Sequence, residues 1–125
     1  MEREYRLAPD GLSGNDDAGQ MSAWYVFAAM GFYPVCPVGG YYNLASPSFK
    51  KTTIHLPGDK TFTILAKHAS KRNVYIQKAT LNGKVYSKNY LNHADIAKGG
   101  VLQLIMGDKP NKAWGSLEED CPPAK

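Results

Sequence analysis

The feature that most constrains this chain is a long stretch without charge. Between Ala18 and Phe49 there is no Asp, Glu, Lys or Arg. Its first part, Met21-Ser22-Ala23-Trp24-Tyr25-Val26-Phe27-Ala28-Ala29-Met30, is apolar nearly all round the helical circumference rather than along one face. A helix of that kind belongs where protein surrounds it on every side. Directly before it runs a polar, glycine-flanked loop, Gly14-Asn15-Asp16-Asp17-Ala18-Gly19-Gln20, with two adjacent carboxylates. The sequence therefore predicts an acid-bearing loop feeding a helix over residues 18–30. Asp17 followed by Gln20 has capping-box spacing, a side-chain acceptor at the N-cap with a glutamine three residues on. Gly31 stands where a left-handed C-cap belongs, and Pro34 forbids continuation.

The apolar stretch does not predict a membrane span. Gly31, Pro34 and Pro37 interrupt it. The helical part covers about 18 Å at ~1.5 Å per residue, whereas a bilayer core needs about 30 Å. Residues 1–13 read as an irregular lead-in with a turn at Pro9-Asp10-Gly11. The charged opening Met1-Glu2-Arg3-Glu4-Tyr5-Arg6 has no apolar run after it, so no secretory signal is read there. At 125 residues the length suits one domain.

From Gly40 the period changes from helical to alternating. Strands are expected at residues 41–44, 52–56, 61–66, 73–81, 84–86 and 101–106. Asn82-Gly83 between two of them is a strong hairpin signal, since both turn positions call for positive φ. Asn92-His93-Ala94-Asp95-Ile96 reads as a helical turn capped by Asn92 or His93, and Gly99-Gly100 breaks it. Strands at this spacing predict a mainly β fold, an antiparallel sandwich-like domain preceded by one buried helix. The expected organisation is loop and helix over 1–39, β domain over 40–115, and a flexible tail over 116–125.

The formal charge is +4, but Lys50-Lys51, Lys71-Arg72 and Lys109…Lys112 are scattered and form no stripe interleaved with aromatics. A solvated surface is expected, not a nucleic-acid footprint. Cys36 and Cys121 lack metal-site spacing and read as two free thiols. His55, His68 and His93 show no metal-ligand spacing either.

Candidate chemistry is concentrated in the loop. Asp16 and Asp17 can simply cap the helix, and an ionised carboxylate held there also suits a general base that activates water. Adjacent carboxylates cannot easily form an inverting glycosidase pair, whose members stand about 6.5–9.5 Å apart. A partner acid would have to come from elsewhere. Asp10, Asn15, Asp16, Asp17 and Gln20 are oxygen donors of the kind Ca2+ takes, though not at EF-hand spacing. Trp24, Tyr25, Phe32 and Tyr33 could stack on a sugar or lie in a core.

The run Asp10-Gly11-Leu12-Ser13-Gly14-Asn15-Asp16-Asp17-Ala18-Gly19-Gln20-Met21-Ser22-Ala23-Trp24-Tyr25-Val26-Phe27, followed by Gly31-Phe32-Tyr33-Pro34-Val35, resembles the signature of glycoside hydrolase family 92. The resemblance continues through Ser46-Pro47-x-Phe49, Tyr75-Ile76-Gln77-x-Ala79-Thr80-Leu81-Asn82-Gly83, His93-x-Asp95-Ile96, Gly99-Gly100 and the segment from Met106 to Gly115. It implies a C-terminal portion of a calcium-dependent, inverting exo-α-mannosidase of the α-1,2 type. In such an enzyme the helix would belong to an (α/α)6 barrel. It further implies that Asp17, supported by Asp16, is the catalytic base. Asn15, Gln20 and Trp24 would contact the sugar, and Asn15, Asp16 and Gln20 would help to hold Ca2+. The family's general acid is an upstream glutamate with no counterpart here, so the piece alone is expected to be inactive. Ser13 and Ala18 depart from the proline and cysteine common at those positions. The implied partners are mannose-containing glycans and the rest of the barrel, with dimerisation through the exposed helix as a further expectation. A periplasmic or extracellular parent is implied. The alternative is a non-catalytic β-sandwich module with a structural or weak carbohydrate-binding role.

Overall fold

The computed structural model describes residues 6, 8, 11 and 15–123. Asp10, Ser13, Gly14 and most of the expected lead-in lie outside them. The helix α1 spans Gln20–Met30 and passes directly into β1, Phe32–Tyr33. Then follow β2 (Tyr41–Leu44), β3 (Lys51–Leu56), β4 (Lys60–Lys67), β5 (Tyr75–Leu81), β6 (Lys84–Val85), β7 (Tyr90–Asn92), the short helix α2 (His93–Ala97) and β8 (Gly100–Gly107). The fold is mainly β, as the periodicity predicts.

Two sheets form the body, one ordered β1-β2-β7 and the other β3-β4-β8-β5-β6. Strand alternation fixes the inner face of the larger sheet. Phe62, Ile64 and Ala66 of β4 and Leu102, Leu104 and Met106 of β8 are all buried. The same cluster takes in Phe32 and Leu91 from the smaller sheet, with Tyr42 and Leu44 packed against it. Asn82 and Gly83 both have positive φ, 51° and 80°, which is the expected geometry for the β5–β6 hairpin.

The larger sheet is not wholly antiparallel. β4 and β8 run parallel, with Phe62 opposite Gly100 and Lys67 opposite Ile105. The reason is topological. After β6 the chain leaves this sheet for β7 and α2, then returns as β8 between β4 and β5. β4 and β5 run in opposite directions, so a strand inserted between them must be parallel to one. β8 is antiparallel to β5, with a bulge at Gln77. The bulge is satisfied locally: Asn111 Nδ2 donates to Gln77 O at 2.9 Å, and Gln77 Nε2 donates to Lys109 O at 2.7 Å.

The segment expected to be a loose tail is anchored through Asp120, which is 3% exposed. Ser87 Oγ donates to its carboxylate, and Asn89 N donates to its carbonyl at 2.9 Å. Trp114 Nε1 donates to Tyr86 O at 3.1 Å, closing the same end of the sandwich. A buried, hydrogen-bonded carboxylate explains why this acidic stretch docks rather than frays.

Among the described residues, α1 packs on the core near its C-terminal end. Phe27 and Met30 pack on the core, and Ala29 is its one buried residue. Gly31 ends it at φ 91°, its N–H donating to Phe27 O and Ala28 O at 3.1 Å each. Any side chain there would also collide with Pro47, whose Cγ would lie 2.6 Å from an added Cβ. Tyr25 and Val26 stand 40% and 54% exposed. Among the described residues, the expectation of a helix buried on all sides is therefore not met. No helix among the described residues is long and apolar enough to cross a membrane.

Candidate active-site loop

The loop places its two acids in different roles. α1 begins at Gln20 rather than Ala18, because Ala18 (φ 53°) and Gly19 (φ 77°) are both left-handed and cannot continue a right-handed helix. Asp17, Ala18 and Gly19 form a single 3-10 turn, closed by Gly19 N donating to Asp16 O at 3.2 Å.

Asp16, not Asp17, supplies the helix with its acceptor. Its Oδ1 accepts from Met21 N at 2.8 Å and from Ser22 N at 3.2 Å. Its Oδ2 accepts from Ser22 Oγ at 2.7 Å. The capping box expected at Asp17 and Gln20 is displaced because the two left-handed residues fold the preceding side chain back over the first turn. The Ser22 hydroxyl, then the Ser22 and Met21 amides, hold the Asp16 carboxyl below the usual carboxylate range, outweighing an opposing effect of partial burial. An acid fixed this way stays ionised and gives up its lone pairs to the backbone.

Asp17 is exposed, and among the described residues its carboxylate has no hydrogen-bond or ion-pair partner. Asn15 and Gln20 are exposed as well, and Trp24 is half-buried one turn after Gln20. Positions 20 and 24 share a face of α1. Beyond them Phe27 stacks on Tyr42, centroids 5.9 Å apart, and Tyr42 Oη meets His93 Nδ1 at 2.9 Å. Periodicity alone gave no sign of the Tyr42–His93 pair, because the two residues are brought together by the β2–β7 ladder. Phe32 and Tyr33, considered earlier as stacking residues, both pack edge-on against Phe27; Phe32 is fully in the core.

The oxygen donors do not make a metal site by themselves. Asp16 has both carboxylate oxygens engaged, which leaves the Asn15 and Gln20 amides and the Asp17 carboxylate, whereas Ca2+ takes six to eight oxygens. Among the described residues no cluster of three or more His, Cys, Asp or Glu could hold a metal ion. No disulfide joins Cys36 to Cys121. His55 and His68 lie exposed and apart from the loop.

Comparison with known proteins gives this geometry its context. Over 117 residues the chain is 40% identical to an uncharacterized secreted glycosidase of Arthroderma benhamiae, covering 91% of this chain and 15% of that protein. It superposes on a family GH92 inverting mannosidase of Bacteroides thetaiotaomicron with a TM-score of 0.88 and 45% identity, over 97% of this chain and 16% of the other. A family GH92 α-mannosidase of the same organism, solved in complex with mannoimidazole, gives a TM-score of 0.91 at 42% identity, over 98% of this chain and 16% of its own. The chain thus spans about one-sixth of the length of these relatives. The family model for the glycosyl hydrolase family 92 catalytic domain matches residues 1–108, and the chain belongs to that family.

Proposed function

We propose that this chain carries the general-base half of an inverting, exo-acting α-mannosidase site, with Asp17 as the base, and that it hydrolyses α-1,2-mannosidic bonds only as part of a longer catalytic domain. The observation that carries the proposal is the division of labour between the two acids. Asp16 is consumed in capping α1, while Asp17 presents an uncommitted carboxylate beside it. A base in an inverting glycosidase must accept a proton from water on the face opposite the departing group, so it cannot have its lone pairs filled by backbone amides. The names of the solved relatives, one an inverting mannosidase, support the substrate class.

The acid that protonates the leaving oxygen has to come from outside the loop, about 6.5–9.5 Å from the base. Neighbouring side chains such as those of Asp16 and Asp17 diverge and leave no room for a sugar between them. The chain alone is therefore proposed to be inactive. Asn15, Gln20 and Trp24 are proposed as sugar contacts, two amides for hydroxyls and one indole for a ring face. Calcium is part of the proposal, with Asn15 and Gln20 offering uncommitted oxygens and Asp16 shaping the loop. The remaining ligands would come from elsewhere in a longer protein. Such an ion supplies charge stabilisation at sugar hydroxyls.

The exposed flank of α1, with Tyr25 and Val26, is proposed to be covered by other helices of the catalytic barrel. In the isolated chain a second copy could take their place and form a dimer. The secreted fungal relative supports an extracellular parent. The test is release of mannose from an α-1,2-mannobiose by the chain alone and by a chimera in which it replaces the matching segment of the Bacteroides thetaiotaomicron mannosidase, each with calcium and with a chelator. The proposal expects activity from the chimera with calcium only. Turnover by the chain alone would overturn it, and saturable mannose binding that survives Asp17→Ala would favour a non-catalytic carbohydrate-binding module.

A further inference from the structure

The turn that carries Asp17 is held from few points. Asp17, Ala18, Gly19 and Gln20 are all exposed. Among the described residues, a Cβ added at Gly19 would meet nothing within 4 Å, so side-chain packing does not brace the turn there. Two consecutive left-handed residues reverse the chain, Ala18 at φ 53° and Gly19 at φ 77°. Glycine adopts that region freely, whereas an alanine there is strained and has to be held by its surroundings.

The Asp16 carboxylate does the holding. Its Oδ1 is shared by the Met21 and Ser22 amides, at 2.8 and 3.2 Å, and its Oδ2 receives the Ser22 hydroxyl at 2.7 Å. Bonds to one oxygen alone would leave the carboxylate free to swing about its Cβ–Cγ bond, a torsion with only broad intrinsic preferences. The hydroxyl on the second oxygen fixes the plane. Ser22 thus grips both oxygens, one through its amide and the other through its side chain. The Asp16 carbonyl in turn accepts from Gly19 N at 3.2 Å and closes the turn around Asp17. Among the described residues the Asp17 carboxylate has no hydrogen-bond or ion-pair partner, so its position follows from this backbone.

We propose that Ser22 is a positioning residue for the reaction: its hydroxyl locks Asp16, and the locked turn aims the Asp17 carboxylate at the attacking water. The proposal rests on Asp17 being the general base. A base that keeps its lone pairs for water cannot be anchored through them, so its aim has to come from its neighbours. Aim is worth a great deal, since misplacing a reacting group by ~1 Å can cost about 100-fold in rate. Ser22 is exposed on α1 and lies outside the buried cluster, so removing its hydroxyl leaves the core untouched.

The test is steady-state mannose release by the chimera, paired with hydrogen exchange on the chain itself. In the chimera, Ser22→Ala should lower kcat about tenfold or more and leave KM within about twofold. Ser22→Thr keeps the donor and should recover kcat to within about threefold of the unmodified chimera. Ala23→Gly loosens the same turn of helix without touching the clamp, and should also stay within about threefold. In the chain, Ser22→Ala should reduce the protection of the Gly19 and Met21 amides, corrected for intrinsic exchange, and Ser22→Thr should restore it. A Ser22→Ala chimera that keeps its kcat while Asp17→Asn loses it would overturn the proposal and leave the base in place. Ser22→Thr as slow as Ser22→Ala, or Ala23→Gly just as slow, would also overturn it, because the hydroxyl would then matter only to packing or to helix stability. Indifference of the chimera to Asp17→Asn would remove the base itself, and this proposal with it.

Discussion

In β4 and β8 every second side chain is buried, and Phe62, Leu102 and Leu104 have no exposed surface at all. α1 is just as apolar, yet it leaves Tyr25 and Val26 open to solvent. Among the described residues, one region finds all the partners its sequence calls for, and the other finds core packing on one side. The apolar strands close on one another because the ladder and both sheets are present. The helix is patterned for neighbours on every side, and the described residues supply them on the β1 side, through Phe27 and Met30. The acids sit at the end of the helix farthest from that support.

The largest effect should come from the closed region. Phe62→Ala empties a site with no exposed surface and should cost about 3–5 kcal/mol, read as a shifted urea midpoint. A much smaller loss would mean that the sandwich is not the stable body of the chain. Alkaline titration should come next. Burial, then the nearby Asp95 and Tyr90 charges, push the Tyr86 phenol up to about 12. A folded-state pKa raised above the usual ~10 contributes stability that is complete below pH 10 and fades as pH climbs toward 12. With partial exposure allowed for, the loss should stay below about 2 kcal/mol, and Tyr86→Phe should abolish that pH dependence.

Smaller effects separate the two acids. Asp16→Ala should speed hydrogen exchange at the Met21 and Ser22 amides, and Asp17→Ala should leave them unchanged. Because the Asp16 carboxyl is held below its usual range, its support for α1 is present above about pH 4 and is lost as pH falls through the depressed value. Protection of those two amides, corrected for the intrinsic exchange rate at each pH, should therefore fall in acid in the wild type and not in Asp16→Ala. Identical behaviour of both variants would remove the division of roles. Val26→Lys should change stability by no more than about 0.5 kcal/mol in this chain. In the chimera, where the helix has neighbours, it should be clearly destabilising. Equal tolerance in both settings would mean that nothing covers this face of α1.

Most of the β architecture was legible because alternation reports burial directly, as in Thr61-Phe62-Thr63-Ile64-Leu65-Ala66. Asn82-Gly83 named its own turn. Two strands escaped notice. Phe32–Tyr33 and Tyr90–Asn92 are too short to show a period and are defined by their partners on β2. The parallel β4–β8 pair escaped because strand order is a property of the whole chain, not of any window. The cap was misplaced from Asp17 to Asp16 because a left-handed alanine is rare, so nothing in Asp17-Ala18-Gly19 announced the reversal. The anchoring of Asp120 depends on Ser87 and Asn89, more than thirty residues away in sequence.

The account's central claim is that Asp17 is a base whose neighbour is occupied elsewhere. The most direct measurement is the steady-state rate of mannose release by the chimera carrying Asp17→Asn, against the same chimera unmodified. The predicted result is a fall in kcat of about 100-fold or more with little change in KM, the size expected when a general base is removed. A kcat retained within a few-fold would contradict the assignment and return the loop to helix capping alone.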